Sequence, residues 1–125
     1  MPADQREAHR IPIHWRTVVL FKDQPNIQAR LVNISDNGLV LHAPQMLKLS
    51  QTYSLVIETL VHPDAVQHYY LRVQGSVMYS ILDSQTNDFR VGFRFTQISN
   101  QDEQLLHNWI HRHLPGHFNP ERNAS

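Results

Sequence analysis

The stretch Asn33-Ile34-Ser35-Asp36-Asn37-Gly38 lies between two runs of residues that alternate in the way β-strands do. A small amide, a hydroxyl and a glycine at a strand turn offer hydrogen-bonding groups to a flat polar ligand. The glycine also lets the backbone turn sharply and approach that ligand closely. Two arginines, Arg6 and Arg10, precede the first of these runs. Their guanidinium groups are planar forks suited to a purine edge or a phosphate.

Hydrophobic and polar residues alternate over most of the chain, which is the pattern of half-buried strands. In the first run the odd-numbered residues from Ile13 to Phe21 share one face. Turn residues such as Asp23-Gln24-Pro25-Asn26 separate the runs, and Gly75 within the longest run predicts a bulge or bend. About six strands at short spacing predict a small antiparallel β-barrel or sandwich. The predicted strands are 13–22, 27–34, 39–43, 53–61, 66–82 and 89–96.

The last element of the chain changes to the period of an α-helix. Ser99 or Asn100 is the predicted N-cap, and Asp102 or Glu103 three residues on would complete a capping box. Pro115-Gly116 is expected to end the helix. A helix with one apolar face after a barrel most simply covers that barrel. The apolar stripe consists of Leu105, Leu106, Trp109, Ile110 and His113 or Leu114.

Length, charge and cysteine content limit the classes of protein that this chain fits. Its 125 residues suit one domain with a single core. The formal net charge is zero, whereas domains that bind long nucleic acids carry a basic excess, so we expect any bound anion to be small. The absence of cysteine excludes disulfides and thiolate metal sites. Without an apolar leader or a run that spans a bilayer, we expect a cytoplasmic protein with no membrane insertion.

The two motifs are more informative together than apart. Alone, the arginine pair fits a solvated terminus, and the stretch from Asn33 to Gly38 fits an ordinary Asx-turn. In this order, Arg-x-x-x-Arg before the first strand and Asn-x-Ser-x-x-Gly between the second and third, they resemble the signature of PilZ domains, the bacterial receptors for cyclic di-GMP. The strands around Gly75-Ser76-Val77 and Arg90–Phe95 are also similar to the closing strands of that family.

The resemblance implies a mainly β fold, a six-stranded antiparallel PilZ-type β-barrel with a C-terminal α-helix. It divides the chain into a flexible arm at residues 1–12, the barrel and helix at residues 13–114, and a loose tail at residues 115–125. Pro12 disfavours helix at Ile11, so we expect the arm to enter the first strand in an extended conformation.

The resemblance also implies roles for the motif residues in binding cyclic di-GMP. Arg6 and Arg10 would bind guanine edges and phosphates, since O6 and N7 of guanine accept an arginine fork. Asn33 would accept hydrogen bonds from a Watson–Crick edge, as an Asp or Asn of the family does. Ser35 would donate to a phosphate or hold the turn, and Gly38 would keep the wall of the site free of a side chain.

Two further positions are assigned by resemblance. Gln5 stands directly before the arginine motif, where many members carry another arginine. The missing positive charge predicts one ligand per protein rather than an intercalated ligand dimer. Tyr79 aligns with a position where some members carry a tryptophan near a base.

These residues predict a non-catalytic receptor that signals by ordering its arm and by contacting an unidentified downstream protein. We expect a monomer that needs no cofactor and binds no nucleic acid polymer. The alternative is a PilZ-like protein-interaction module that binds no nucleotide. An oligonucleotide-binding barrel is a third hypothesis, which the neutral charge disfavours.

Catalytic and metal sites find little support in the sequence. Ser35 is not in a Gly-x-Ser-x-Gly elbow, and the carboxylates are scattered over turns. His107 and His111 are spaced to share one helix face, but the chain lacks a His-Glu-x-x-His motif or an evident carboxylate partner for them. We therefore expect a solvated helix face, no enzyme activity and no metal site.

Overall fold

The computed structural model describes residues 11–12, 15–60 and 68–113. These residues form seven strands and a C-terminal helix. The strands are β1 (Ile11–Pro12), β2 (Arg16–Leu20), β3 (Ile27–Ile34), β4 (Gly38–Ala43), β5 (Thr52–Leu60), β6 (His68–Asp83) and β7 (Asp88–Ile98), and the helix is α1 (Asn100–His113).

Six of the strands close into a barrel in which every pairing is antiparallel. Around the ring, β2 pairs with β3, β3 with β4, β4 with β7, β7 with β6, β6 with β5, and β5 again with β2. Closure removes the exposed strand edges that an open sheet would leave. The predicted six-stranded antiparallel barrel with a C-terminal helix is confirmed.

The beginning of the barrel differs from the single strand predicted over residues 13–22. Ile11–Pro12 and Arg16–Leu20 instead pair with successive parts of β3, as two separate strands. Between them the carbonyl of Trp15 accepts a 3.0 Å hydrogen bond from the Leu31 N–H, beside a bulge in β3. At the other end the Asn26 side chain accepts a 2.8 Å bond from the Phe21 N–H, which turns the chain away from the sheet.

The barrel interior contains aliphatic side chains from all six strands. Their alternation follows the predicted faces, with Thr17 and Val19 of β2 fully buried. The interior also receives Leu106 and Ile110 from α1, which thus covers the barrel as expected. The main members of this core are Val19, Leu31, Ile34, Leu39, Leu41, Leu55, Ile57, Leu71, Val73, Val77, Val91 and Phe93.

The predicted irregularity at Gly75 is present, because the pairing of β6 with β7 shifts between Gln74 and Gly75, but the extra residue, Thr96, belongs to β7. A second shift lies between Val77 and Tyr79. Such bulges increase strand twist and bend a sheet toward closure.

Helix α1 begins at the predicted cap. The Ser99 hydroxyl accepts a 3.1 Å hydrogen bond from the Asp102 N–H, and the Ser99 carbonyl accepts the first helical bond from Glu103. The Asp102 carboxylate does not reach back to complete a capping box; it bonds to β6 instead. Among the described residues, no helix combines the length and apolar character needed to cross a membrane.

Candidate functional site

The turn between β3 and β4 is organised by one buried hydroxyl. The Ser35 side chain is fully buried, and its oxygen accepts hydrogen bonds from the N–H groups of Asn37 (3.2 Å) and Gly38 (3.3 Å). The Ser35 N–H donates to the Gly38 carbonyl at 2.8 Å, which closes the loop. Of the two roles foreseen for Ser35, these contacts support holding the turn.

Neighbouring backbone explains why position 38 is a glycine. A Cβ atom there would overlap the Phe93 carbonyl oxygen and lie 3.2 Å from the Arg94 Cα. Both atoms belong to β7, which pairs with β4 at this point. Gly38 therefore permits the close approach of two barrel strands.

The short strand β1 lies directly beside the signature asparagine. Pro12 is paired with Asn33, and Ile11 is paired with Ile34. Arg10 is the residue that precedes Ile11 in the chain. The backbone that leads out of the arginine motif is thus hydrogen-bonded to the strand that carries the asparagine.

Asn33 and Tyr79 lie on one row across the outside of the barrel. Asn33 is opposite Val40, Val40 is opposite Gly92, and Gly92 is opposite Tyr79. Directly opposed residues of antiparallel strands point to the same face. Leu39 and Leu41 belong to the core cluster and Val40, between them, does not, so this row is on the face opposite the core. Three strand spacings separate the ends of this row, about 14 Å measured along the sheet.

The Tyr79 ring covers the glycine next to it in this row. A Cβ atom at Gly92 would lie 2.6 Å from Tyr79 Cζ, so the ring rests on the bare backbone of β7. Tyr79 is half-buried in this position, which leaves part of its ring accessible on the outer face.

Sequence reasoning did not include the arginines of β7 in the candidate site. Arg94 is exposed and opposite Gly38, at the base of the Ser35–Gly38 turn. Arg90 is half-buried and opposite His42 on the same outer face. The sequence could have indicated these arginines. Arg90, Gly92 and Arg94 occupy alternate positions of one strand, which places all three on the face opposite the core.

Three of the predicted site residues, Gln5, Arg6 and Arg10, lie outside the described residues. The other four, Asn33, Ser35, Gly38 and Tyr79, are described, and they lie on β3, in the β3–β4 turn, on β4 and on β6, next to the middle of β7. Asn33 and Tyr79 share the outer row, Ser35 is inside the turn, and Gly38 is paired with Arg94.

Comparison with solved structures finds several with the same fold. The inhibitor of motility MotI/DgrA from Bacillus subtilis has a TM-score of 0.75 at 15% identity, with 91% of this chain and 53% of that chain covered. The "PilZ domain with c-di-GMP of YcgR from Escherichia coli" has a TM-score of 0.63 at 16% identity, covering 96% and 94% of the two chains. The "K. pneumonia MrkH-c-di-GMP complex" has a TM-score of 0.63 at 13% identity, covering 84% and 50%.

The present chain spans about half the length of the MotI/DgrA and MrkH chains. No curated protein matches its sequence significantly. The family model for the PilZ domain matches residues 4–112, which include both sequence motifs and the whole barrel. This chain belongs to the PilZ domain family.

Proposed function

We propose that this protein is a non-catalytic receptor for cyclic di-GMP. Membership of the PilZ family supports the proposal, as does the presence of this nucleotide in the structures of YcgR and MrkH that share the fold. The observation that carries it is the pairing of β1 with β3, with Pro12 opposite Asn33. That pairing puts the two residues that follow Arg10 in the chain beside the strand that carries Asn33.

Chain connectivity limits how far the arginines are from Asn33. Arg10 is bonded to Ile11, whose strand partner is Ile34. Arg6 is five residues before Ile11 in the sequence, and an extended chain of that length spans at most about 18 Å. Both guanidinium groups are therefore within reach of the row that runs from Asn33 to Tyr79.

The chemistry of these residues suits a cyclic purine dinucleotide. Arg6 and Arg10 donate paired hydrogen bonds to guanine O6 and N7 or to phosphate oxygens. The side-chain oxygen of Asn33 accepts from the N1 and N2 hydrogens of guanine. Tyr79 offers a ring on which a base can stack. Arg94 adds positive charge near the turn and is the residue that we add to the predicted set.

We propose that the protein signals by ordering its N-terminal arm when the nucleotide binds. Fixing the backbone of residues 1–10 around the ligand opposes binding by about 1–2 kcal/mol per residue, which contacts to the nucleotide must exceed. The ordered segment forms a surface that a downstream protein distinguishes from the ligand-free state. Amide NMR relaxation of residues 1–10 tests this step, and equal relaxation with and without nucleotide would rule it out.

Isothermal titration with cyclic di-GMP tests the receptor function. We expect one ligand per chain, as Gln5 in place of an arginine predicts. Arg10→Ala should weaken binding by about 1.5–3 kcal/mol, the range for a hydrogen bond to a charged group, or about 10- to 150-fold. Arg10→Lys should bind cyclic di-GMP nearly as weakly as Arg10→Ala, because lysine cannot donate the paired hydrogen bonds of a guanidinium group.

The matched control is Arg72→Ala, which removes an exposed arginine that lies opposite Val56 of β5 and is seven residues from Tyr79 along β6. Its affinity should equal that of the wild type, and 5′-GMP should produce no comparable heat. If the folded wild type gives no heat with high micromolar cyclic di-GMP, the receptor proposal fails and the protein-interaction module is favoured. An unchanged affinity in Arg10→Ala would show that the nucleotide binds elsewhere.

A further inference from the structure

We propose that Asp36, His107 and His111 form a binding site for a divalent transition-metal ion such as Zn²⁺, which fastens α1 to the β3–β4 turn. The fold supplies the distant carboxylate that the sequence did not reveal, since Asp36 and His107 are 71 residues apart. One ligand atom from each of the three side chains lies within 4.8 Å of the other two.

The distances fit a metal ion after small side-chain rotations. Around tetrahedral Zn²⁺, with bonds of about 2.0–2.2 Å, ligand atoms are about 3.3–3.6 Å apart. His107 Nδ1 and Asp36 Oδ1 are already 3.3 Å apart. The remaining separations must close by at most about 1–1.5 Å. All three side chains are exposed, so that closure requires no change in the core.

The two histidines are arranged as a helical metal-binding pair. They are one turn apart on α1, and their ring centroids are 4.1 Å apart. Leu106 and Ile110, which precede them, point into the barrel and fix the rotation of the helix. The histidine face is therefore presented next to the turn that carries Asp36.

A second carboxylate adds negative charge beside the cluster. Glu103 is one helical turn before His107, and with Asp36 and Asn37 it lines a depression of about 470 Å³ between the turn and the helix. Three protein ligands leave at least one coordination position open, which water or Glu103 can occupy. Imidazole and carboxylate together select a borderline metal such as Zn²⁺ over Mg²⁺ or Ca²⁺.

Titration of the full chain, without a purification tag, with Zn²⁺ tests the site. Because the chain has nine histidines, binding by the wild type alone is insufficient. We expect one strongly bound Zn²⁺, and a loss of at least about 10- to 100-fold in affinity in each of His107→Ala, His111→Ala and Asp36→Asn. Zn²⁺ should also raise the melting temperature of the wild type and not that of the variants.

Asp83→Asn is the matched control, because Asp83 is also beside a histidine, His42, at 3.6 Å. It should bind Zn²⁺ as the wild type does. If the histidine variants lose Zn²⁺ but Asp36→Asn does not, the ion binds the helix alone and the link to the turn is refuted. Equal affinity in all variants would place the ion elsewhere and overturn the site. The test uses no nucleotide, so its result is independent of the receptor proposal.

Discussion

The hydroxyl of Tyr69 in β6 donates a 2.6 Å hydrogen bond to the carboxylate of Asp102 in α1. The other carboxylate oxygen accepts a 3.3 Å bond from the Arg72 N–H. In β6, pairing with β7 starts only at Val73, so the edge of β6 before that residue has no strand partner on this side among the described residues. Asp102 supplies an acceptor at this edge and thereby fixes the start of α1 on the barrel.

Replacing Asp102 should loosen this connection. Asp102 is buried, and in Asp102→Ala both the Tyr69 hydroxyl and the Arg72 N–H lose their acceptor. We expect the free energy of unfolding to fall by about 1.5–3 kcal/mol, measured by chemical denaturation. Gln101→Ala, an exposed change in the same turn, should alter it by less than about 0.5 kcal/mol. An equally small effect in both variants would mean that the two hydrogen bonds of Asp102 contribute little to stability.

The same contact should make stability depend on alkaline pH. The hydrogen bond to Asp102, then loss of hydration and the nearby negative charge, raise the pKa of Tyr69 above its usual value of about 10. The unfolded chain therefore loses this proton first as the pH rises. The contribution of Tyr69 to stability is complete below about pH 10 and is lost as the pH rises through the raised pKa of the folded state.

Denaturation curves between pH 8 and pH 11.5 test this dependence. The wild type should lose more stability over that range than Tyr69→Phe does. Tyr79→Phe removes a hydroxyl that makes no hydrogen bond within the part of the chain that the structure describes. This variant should lose as much stability between pH 8 and pH 11.5 as the wild type does. Parallel curves for the wild type and Tyr69→Phe would contradict the assignment.

Ser35→Ala should destabilise the β3–β4 turn even without a ligand. The substitution removes the acceptor for the N–H groups of Asn37 and Gly38, and we expect a loss of about 1–3 kcal/mol in the free energy of unfolding. Ser84→Ala, in the exposed turn before β7, is the control. If Ser35→Ala kept full stability and lost only nucleotide affinity, the serine would be a ligand contact and not a turn-forming residue.

Alanine at Gly38 should be more damaging than alanine at Gly92. At Gly38 the new methyl group meets the Phe93 carbonyl, and separating two paired strands should reduce stability by about 1–3 kcal/mol. At Gly92 the methyl group meets the Tyr79 ring, which can rotate away. Thermal unfolding of the two variants gives the comparison, and a larger loss in Gly92→Ala would show that the Tyr79 ring is fixed in place.

Several elements were predictable because their causes are local. Alternation of side chains placed β3 at residues 27–34, as observed, and the cap predicted at Ser99 or Asn100 is Ser99. In each case the deciding interactions lie within a few residues of one another.

Other features depended on residues that are distant in the sequence. The alternation from Ile13 to Phe21 continues through Trp15, but hydrogen bonding to β3 divides this region into two strands. Asp102 was one of the two residues predicted to complete a capping box, whereas its carboxylate bonds to β6. The histidine pair of α1 had no visible carboxylate partner, yet Asp36 lies beside it.

The sequence by itself determined the strand pattern, the capped helix and the motif that marks the family, because side-chain periodicity and turn chemistry act between near neighbours. Only the tertiary structure decided that Asn33 and Tyr79 share one row, that β1 pairs beside Asn33, and that Asp36 meets His107. Those relationships follow from the strand register and from the closure of the barrel, and no local pattern specifies either one.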